Sequence, residues 1–279
     1  MSDALKLENQ RIDAGLSRLP PSGLAVDVWL IELDRCDQTA GYLQRLTSPE
    51  ERSLSSRFRR PSHRDRFLTV RGAVRYLLSS YHPVDPLALR FETGSHGKPR
   101  LARDPNGPDI RFNVSHSDAL ALCAVAVGFE VGVDIEQMNP SSFDLSVADH
   151  FFSANEIAEL HSLPVSQGVR GFFNCWTRKE AYIKGRGDGL SVPLRDFDVS
   201  LAPGAPAALL RSRLDQRDVD RWTLWDIDVR EDHAAALAVE SNGLPTKVWQ
   251  QNAMHLYREG SLTRAKANDK RLRSEPCGD

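Results

Sequence analysis

The sequence lacks any apolar run of about 18 residues, the length that a membrane-spanning helix requires, so no membrane partner is expected. Its first ten residues also lack the apolar core of a signal peptide, which favours a cytoplasmic protein. Cysteines are few: Cys36, Cys123, Cys175 and Cys277 are scattered and form no CxxC pair. Reduced thiols are therefore expected rather than a disulfide framework or a zinc site.

An excess of positive charge is also missing, because the net charge is −2. Nucleic-acid-binding proteins usually carry a basic excess, so no nucleic-acid partner is predicted. The charge is nevertheless uneven, with eight arginines between residues 51 and 75. Two interpretations stay open for these arginines: solvated helix faces, or contacts with a polyanionic ligand.

The order of predicted elements occurs twice along the chain. A strand over 24–33, a capping box at Ser48–Glu51 and a helix over 64–81 are followed by strands over 87–91, 110–114 and 120–127, with a loop over 94–108. A strand over 131–135, a capping box at Ser153–Glu156 and a helix over 169–184 are then followed by strands over 197–201, 222–229 and 234–239.

This repetition predicts an α+β fold of two similar halves, related by a pseudo-two-fold, with the active site at the seam between them. The predicted halves are 1–128 and 129–243, and the second carries the metal-binding motifs. A C-terminal extension, 244–279, is expected to contain one short helical stretch and to be partly disordered.

Two carboxylates alternate on the predicted strand at 131–135. Because side chains at i and i+2 of a strand share a face, Asp134 and Glu136 project together, about 6–7 Å apart. Two adjacent like charges are unfavourable unless a cation lies between them, and Mg²⁺ prefers such oxygen ligands. The alternative is an exposed strand face that pairs with surface lysines or arginines.

A second set of charges lies on the predicted long helix, where Trp176, Glu180 and Lys184 fall in one stripe. The simple interpretation is an i,i+4 ion pair worth a few tenths of a kcal/mol. An aromatic cluster before the stripe favours a buried helix instead, with Glu180 and Lys184 at the edge of a cleft. There a carboxylate can bind metal or act as a general base, and a lysine can bind phosphate.

Polar residues end one of the predicted strands, at Ser115 and His116. No G-x-S-x-G elbow accompanies them, which argues against a serine hydrolase. A turn stabilised by its own side chains, or a turn that hydrogen-bonds a phosphate, are both open. Lys98, after a glycine turn, has the same two interpretations.

Taken together, the order and spacing of these motifs resemble the 4'-phosphopantetheinyl transferase superfamily, over roughly residues 24–240. The layout is similar to the larger, pseudo-dimeric class typified by the surfactin-synthetase activating enzyme. The motifs that carry the resemblance are Gly97–Pro99, Asn113–His116, Gly132–Glu136, Phe152–Glu156 and Trp176–Lys184.

The resemblance implies transfer of phosphopantetheine from coenzyme A to a serine of an acyl- or peptidyl-carrier protein, by a monomer that uses Mg²⁺. It implies that Asp134, Glu136 and Glu180 hold the metal, that Glu180 takes the serine proton, and that Lys184 assists the leaving group. The diphosphate and 3'-phosphate contacts that it implies are Arg66, Lys98, Ser115, His116 and Lys179.

One departure from the family concerns positions where relatives bear lysines toward the 3'-phosphate, which here are Glu51 and Leu54. Arg52 or the arginines at 57–60 are the expected substitutes. A different class of function also stays open, namely a non-catalytic protein of the same fold that binds coenzyme A or a carrier domain.

Overall fold

The computed structural model describes residues 24–253 except 35–37, 83, 95 and 140–144. The first half of the chain contributes β1 (Leu24–Glu32), α1 (Gln38–Arg45), α2 (Pro49–Ser55), α3 (Pro61–Tyr81), β2 (Phe91–Thr93), β3 (Pro99–Leu101), β4 (Ile110–Ser117) and β5 (Leu120–Val127). The second contributes β6 (Val131–Gln137), α4 (Leu145–Phe151), α5 (Ala154–Ser162), α6 (Val165–Arg186), β7 (Phe197–Val199), β8 (Leu209–Ser212), α7 (Asp218–Arg221), β9 (Trp222–Asp226) and β10 (His233–Glu240), and β11 (Thr246–Asn252) follows. The predicted α+β class is confirmed.

Local sequence signals set the helix boundaries. Ser48 and Ser153 each accept a hydrogen bond from the glutamate N–H three residues later, and each glutamate side chain accepts one from its serine N–H. Both predicted capping boxes are therefore present. The long helix α6 ends at Gly187, whose φ of 79° lies in the left-handed region that glycine adopts readily.

Two sheets pack against each other, and each has a long helix on its outer face. Their strand orders are β11-β1-β5-β4 and β6-β10-β9. Apolar side chains from both sheets meet between them, including Val28, Leu122, Val133 and Leu237. The helix α3 buries Val74 and Leu77 in a second cluster, and α6 buries Phe172 and Ile183 in a third. The edge strands β4 and β6 lie side by side between the two halves.

The structure corrects three details of the prediction. Residues 86–88 form a 3₁₀ helix, so the strand expected over 87–91 begins only at Phe91. The predicted loop over 94–108 contains β3, which pairs with β2 in a hairpin. The short helical stretch expected after residue 243 does not occur in residues 244–253, because β11 is a strand that pairs in parallel with β1; any part of it after residue 253 lies outside the described residues.

That pairing returns part of the C-terminal extension to the sheet of the first half. Residues 254–279, where disorder was expected, lie outside the described residues. No helix in the described part of the chain combines the length and apolar character needed to span a membrane.

Candidate active site

Polar side chains join the edge strands β4 and β6. Three alternate residues of β4 face β6: Asn113 Oδ1 accepts from the Val133 N–H at 2.9 Å, Ser115 Oγ lies 2.8 Å from Asp134 Oδ1, and Ser117 Oγ lies 2.9 Å from Glu136 Oε2. Since side chains at i and i+2 share a face, the N-x-S-x-S spacing places all three on the boundary between β4 and β6, which is the seam between the two halves. Of these three, only Ser115 was predicted as a site residue; Asn113 belongs to the Asn113–His116 motif, and the spacing was available to add Asn113 and Ser117 to the site.

The ammonium of Lys184 enters the same seam from α6. Its Nζ lies 2.5 Å from Asp134 Oδ1 and 3.0 Å from Ser115 Oγ. Lys184 therefore pairs with Asp134 across the fold instead of forming the simple i,i+4 pair with Glu180 along the helix. A residue from the first half, one from β6 and one from α6 thus meet at a single oxygen.

The second carboxylate oxygen of Asp134 is unusual. Oδ2 is buried, like the whole residue, which is only 2% exposed, and it has no hydrogen-bond partner among the residues that the structure describes. A buried polar atom without a partner costs about 1–3 kcal/mol, and more when it is charged. Such an oxygen fits a ligand of a hard cation such as Mg²⁺, whose preferred donors are carboxylates.

Burial raises the pKa of all three carboxylates, and repulsion by a neighbouring carboxylate adds to the effect on Glu136 and Glu180. For Asp134 burial raises the pKa, opposed by Lys184 and Ser115. For Glu136 burial and then Asp134 raise it. The largest effect falls on Glu180, where burial, followed by Asp134, raises the pKa to about 7. Each shift reports a site that favours an added positive charge.

The carboxylates are not closed around a cation. Within the described ranges, no group of three or more His, Cys, Asp or Glu side chains is spaced to hold a metal ion. The ammonium of Lys184 already neutralises Asp134 Oδ1, which accounts for part of this arrangement. The donor chemistry of these carboxylates fits Mg²⁺.

Comparison with known proteins gives the family. The family model described as the 4'-phosphopantetheinyl transferase superfamily matches residues 130–238. The 4'-phosphopantetheinyl transferase HetI of Nostoc sp. is 36% identical over 224 residues, which cover 80% of this chain and 91% of that protein. This chain belongs to the 4'-phosphopantetheinyl transferase superfamily.

Two further relatives agree. The 4'-phosphopantetheinyl transferase Sfp of Bacillus subtilis is 36% identical over 154 residues, covering 55% of this chain and 66% of that protein. A phosphopantetheinyl transferase of Thraustochytrium sp. is 26% identical over 253 residues, covering 84% and 86%. The similarity extends over both halves of the chain, including the seam that holds the transferase motifs.

The structure does not bring Lys179 to this transferase site. Its side chain is 0% exposed, and its Nζ pairs with Glu156 at 2.8 Å and donates to the carbonyls of Leu194 and Phe197. All three ammonium protons therefore have acceptors inside the protein. The expected contact with phosphate is corrected to a buried ion pair that joins two of the family motifs.

Lys98 is also enclosed, with only 8% of its side chain exposed. Its Nζ contacts Glu130 at 2.7 Å and the carbonyls of Gly185 and Val131 at 2.8 and 3.1 Å. Burial lowers the pKa of Lys98, opposed by Glu130. These contacts hold the β2–β3 hairpin against the end of α6. The ammonium of Lys98 therefore binds acceptors inside the protein and not the expected phosphate.

The two remaining predicted residues, Arg66 and His116, are at least partly exposed to solvent and lie beside the seam. Arg66 makes a bidentate contact with Asp34, both distances 2.7 Å, and reaches Asp118 at 3.2 Å in the turn after β4. His116 is exposed on the face of β4 opposite Ser115. His116 precedes Ser117 in the chain, and Asp118, which Arg66 contacts, follows it. Ser117 in turn hydrogen-bonds Glu136.

The departure in the first half has a structural explanation. Glu51 is committed to its capping box and to an ion pair with Arg75, while Leu54 is 41% exposed. Arg52 donates to the Thr47 carbonyl. The other arginines of this stretch, Arg57, Arg59 and Arg60, are exposed and make no ion pair within the part of the chain that the structure describes.

Proposed function

We propose that this chain transfers the 4'-phosphopantetheine group of coenzyme A to a serine of an apo acyl- or peptidyl-carrier protein, releasing 3',5'-adenosine bisphosphate. Membership of the transferase superfamily supports the reaction class. The observation that carries the proposal is the meeting of Ser115, Asp134 and Lys184 at one carboxylate oxygen, beside the carboxylates Glu136 and Glu180.

In this reaction the serine oxygen forms a bond to the β-phosphorus while the phosphorus–oxygen bond to adenosine bisphosphate breaks. The serine proton needs an acceptor, and the half-buried Glu180 carboxylate, beside Asp134 and Glu136, is proposed for that role. Lys184, with 30% of its side chain exposed, can reach a departing phosphate oxygen and stabilise its charge.

Asp134, Glu136 and Glu180 are the residues that would hold Mg²⁺. Their oxygens, including the partnerless Asp134 Oδ2, provide the hard donors that this ion prefers. When bound, Mg²⁺ supplies positive charge that neutralises the diphosphate and stabilises the charge of the transition state. Ser115 and Ser117 orient two of these carboxylates through hydrogen bonds.

The diphosphate is proposed to lie over the seam, with Ser115, His116 and Arg66 as its contacts. The exposed arginines Arg57, Arg59 and Arg60 are proposed to extend this positive surface toward the 3'-phosphate. Lys98 and Lys179 are proposed as supports of the site, because neither presents a free N–H.

We also propose that the two halves are related by a pseudo-two-fold, since the element order of the first recurs in the second. One chain then supplies both sides of the seam, and a monomer is sufficient for activity.

The decisive experiment is mass spectrometry of apo-carrier proteins incubated with this chain, coenzyme A and Mg²⁺. We expect a gain of one phosphopantetheine on serine, its loss with EDTA, and its recovery when Mg²⁺ is restored. Asp134→Asn should abolish transfer, and Asp149→Asn, on the exposed face of α4, should not. Binding of coenzyme A without transfer to any carrier would favour the non-catalytic alternative instead.

A further inference from the structure

A buried ion pair holds the long helix of the first half. Arg75 of α3 contacts Glu51, the capping-box glutamate of α2, at 2.8 Å. It also donates to the carbonyls of Pro86 and Leu89, at 3.0 and 2.9 Å, which belong to the 3₁₀ helix Pro86–Ala88 and the residue after it. The guanidinium lies over the ring of Phe91, 4.9 Å from its centroid.

The second half contains the same arrangement on α6. Lys179 pairs with Glu156, the capping-box glutamate of α5. It donates to the carbonyls of Leu194 and Phe197, which are the first residue of the 3₁₀ helix Leu194–Asp196 and the residue after it. Its Nζ lies 4.3 Å from the centroid of the Phe197 ring. The match extends to every partner type: carboxylate, two carbonyls and an aromatic face.

The two helices differ in the residue that follows the buried cation. On α3 it is Tyr76, whose ring packs against Tyr42 with centroids 6.2 Å apart. On α6 it is Glu180, which belongs to the carboxylate cluster. Equivalent ion pairs therefore lie beside a packed aromatic residue in the first half and beside the carboxylate cluster in the second.

We propose that Lys179 is a positioning residue, whose pair with Glu156 fixes the axial rotation of α6 and so places the Glu180 carboxylate against Asp134 and Glu136. Consecutive helical residues project 100° apart, so the direction of Lys179 determines that of its neighbour. Arg178 is also 0% exposed and is held by the Ser200 carbonyl at 2.6 Å. Two adjacent buried cations thus fix the helix in two directions.

Small rotations matter here. With side chains about 5–6 Å from a helix axis, a turn of about 10° moves their ends by about 1 Å. A displacement of that size lowers catalytic rates by about 10²-fold. Without Lys179, the buried carboxylate of Glu156 keeps the N–H donors of Ser153 and Val199 but loses its cation, and we expect α5 to shift relative to α6 as a result.

The first half provides a matched control, because Arg75 and Glu51 make the same contacts away from the cluster. The test compares Lys179→Met with Arg75→Met, and Glu156→Gln with Glu51→Gln, which keeps a capping-box residue at both positions. Melting temperature reports stability. Calorimetric titration of Mg²⁺ in the presence of coenzyme A reports the cluster, and steady-state kinetics separate kcat from KM.

We expect each second-half variant to need at least about 10-fold more Mg²⁺ than wild type and to lose about 10–100-fold in kcat, with KM for coenzyme A changed less than kcat. The first-half variants should melt lower but keep the wild-type Mg²⁺ response and kcat. If Lys179→Met does not fold, Glu156→Gln against Glu51→Gln decides the question.

Equal responses in the two halves would overturn the positioning role, because both pairs would then serve stability alone. The inference rests on the proposed function, and the wild type separates the two failures. A wild-type chain without transfer or Mg²⁺ response contradicts the proposed function, whereas an active wild type with a wild-type-like Lys179→Met contradicts the inference.

Discussion

Replacing Lys184 with alanine tests both the electrostatics and the chemistry of the seam. The change removes the ammonium that lies 2.5 Å from Asp134 Oδ1 and leaves a carboxylate that is 2% exposed, with the Ser115 hydroxyl still bound to it. Asp134 then keeps its burial but loses its cation. We expect a loss of stability together with a loss of transfer.

The size of the loss follows from burial. Breaking a fully buried ion pair costs about 3–5 kcal/mol, and exposed pairs are worth about 0–1 kcal/mol. Since 30% of the Lys184 side chain is exposed, an intermediate cost of about 1–3 kcal/mol is expected. For a chain of this size that lowers the melting temperature by roughly 2–6 °C.

The cost should depend on pH in a defined direction. Burial raises the pKa of Asp134 and Lys184 opposes that shift, so the pKa rises further without the lysine. A carboxyl with a raised pKa in the folded state keeps its proton after the unfolded chain has lost its own. Stability therefore falls as pH rises above the ordinary value of 3.8, and the deficit of Lys184→Ala should shrink as pH is lowered toward 4.

The assay is thermal unfolding from pH 4 to pH 8 in metal-free buffer, with transfer kinetics on the same preparations after Mg²⁺ is added. A kcat lower by about 10²-fold is expected if the ammonium stabilises the leaving phosphate, equivalent to about 2.7 kcal/mol of barrier. Lys247→Ala, at an exposed position of β11, controls for the loss of any lysine. The reasoning is refuted if Lys184→Ala matches that control in both melting temperature and kcat.

Three further outcomes are expected. Because burial raises the pKa of Glu180 to about 7, metal-free stability should fall as pH rises from about 4.5 to 7. Glu180→Gln should make that decline shallower in thermal melts, although Asp134 and Glu136 still contribute to it, and parallel curves for the two proteins would contradict this expectation. Ser117→Ala should cost about 1–3 kcal/mol in denaturant unfolding, because Ser117 hydrogen-bonds Glu136 and the Gln137 N–H, and an unchanged midpoint would argue against that bridge. A chain ending before Thr246 should melt lower and self-associate in size-exclusion chromatography, because the edge of β1 is then uncovered. A chain ending after residue 253 keeps β11 and should do neither. Identical behaviour of the two chains would show that β11 is dispensable.

Signals that act over a few residues were read correctly from the sequence. The capping boxes at Ser48 and Ser153 depend on hydrogen bonds within one turn. The shared face of Asp134 and Glu136 depends only on the period of a strand. Such features need no knowledge of which distant element packs nearby.

The ion-pair partners of Lys98 and Lys179 lie in distant parts of the chain and could not be predicted from local sequence. A lysine beside a carboxylate cluster has the same local sequence whether it binds phosphate or a buried glutamate. Lys179 reaches Glu156 and Lys98 reaches Glu130, in each case across a gap that only the assembled fold closes. The parallel pairing of β11 with β1 is similar, because the two strands lie at opposite ends of the described chain.

The location of the site at the seam has a physical reason. An edge strand has backbone groups and side chains that its own sheet does not satisfy. Here the edges β4 and β6 are joined by side chains, with Asn113, Ser115 and Ser117 on one strand and two carboxylates on the other. Burial by both sheets raises the pKa of those carboxylates, and α6 brings Glu180 and Lys184 to them. Neither half could create this environment alone, because one supplies the hydroxyls and the other supplies the charges.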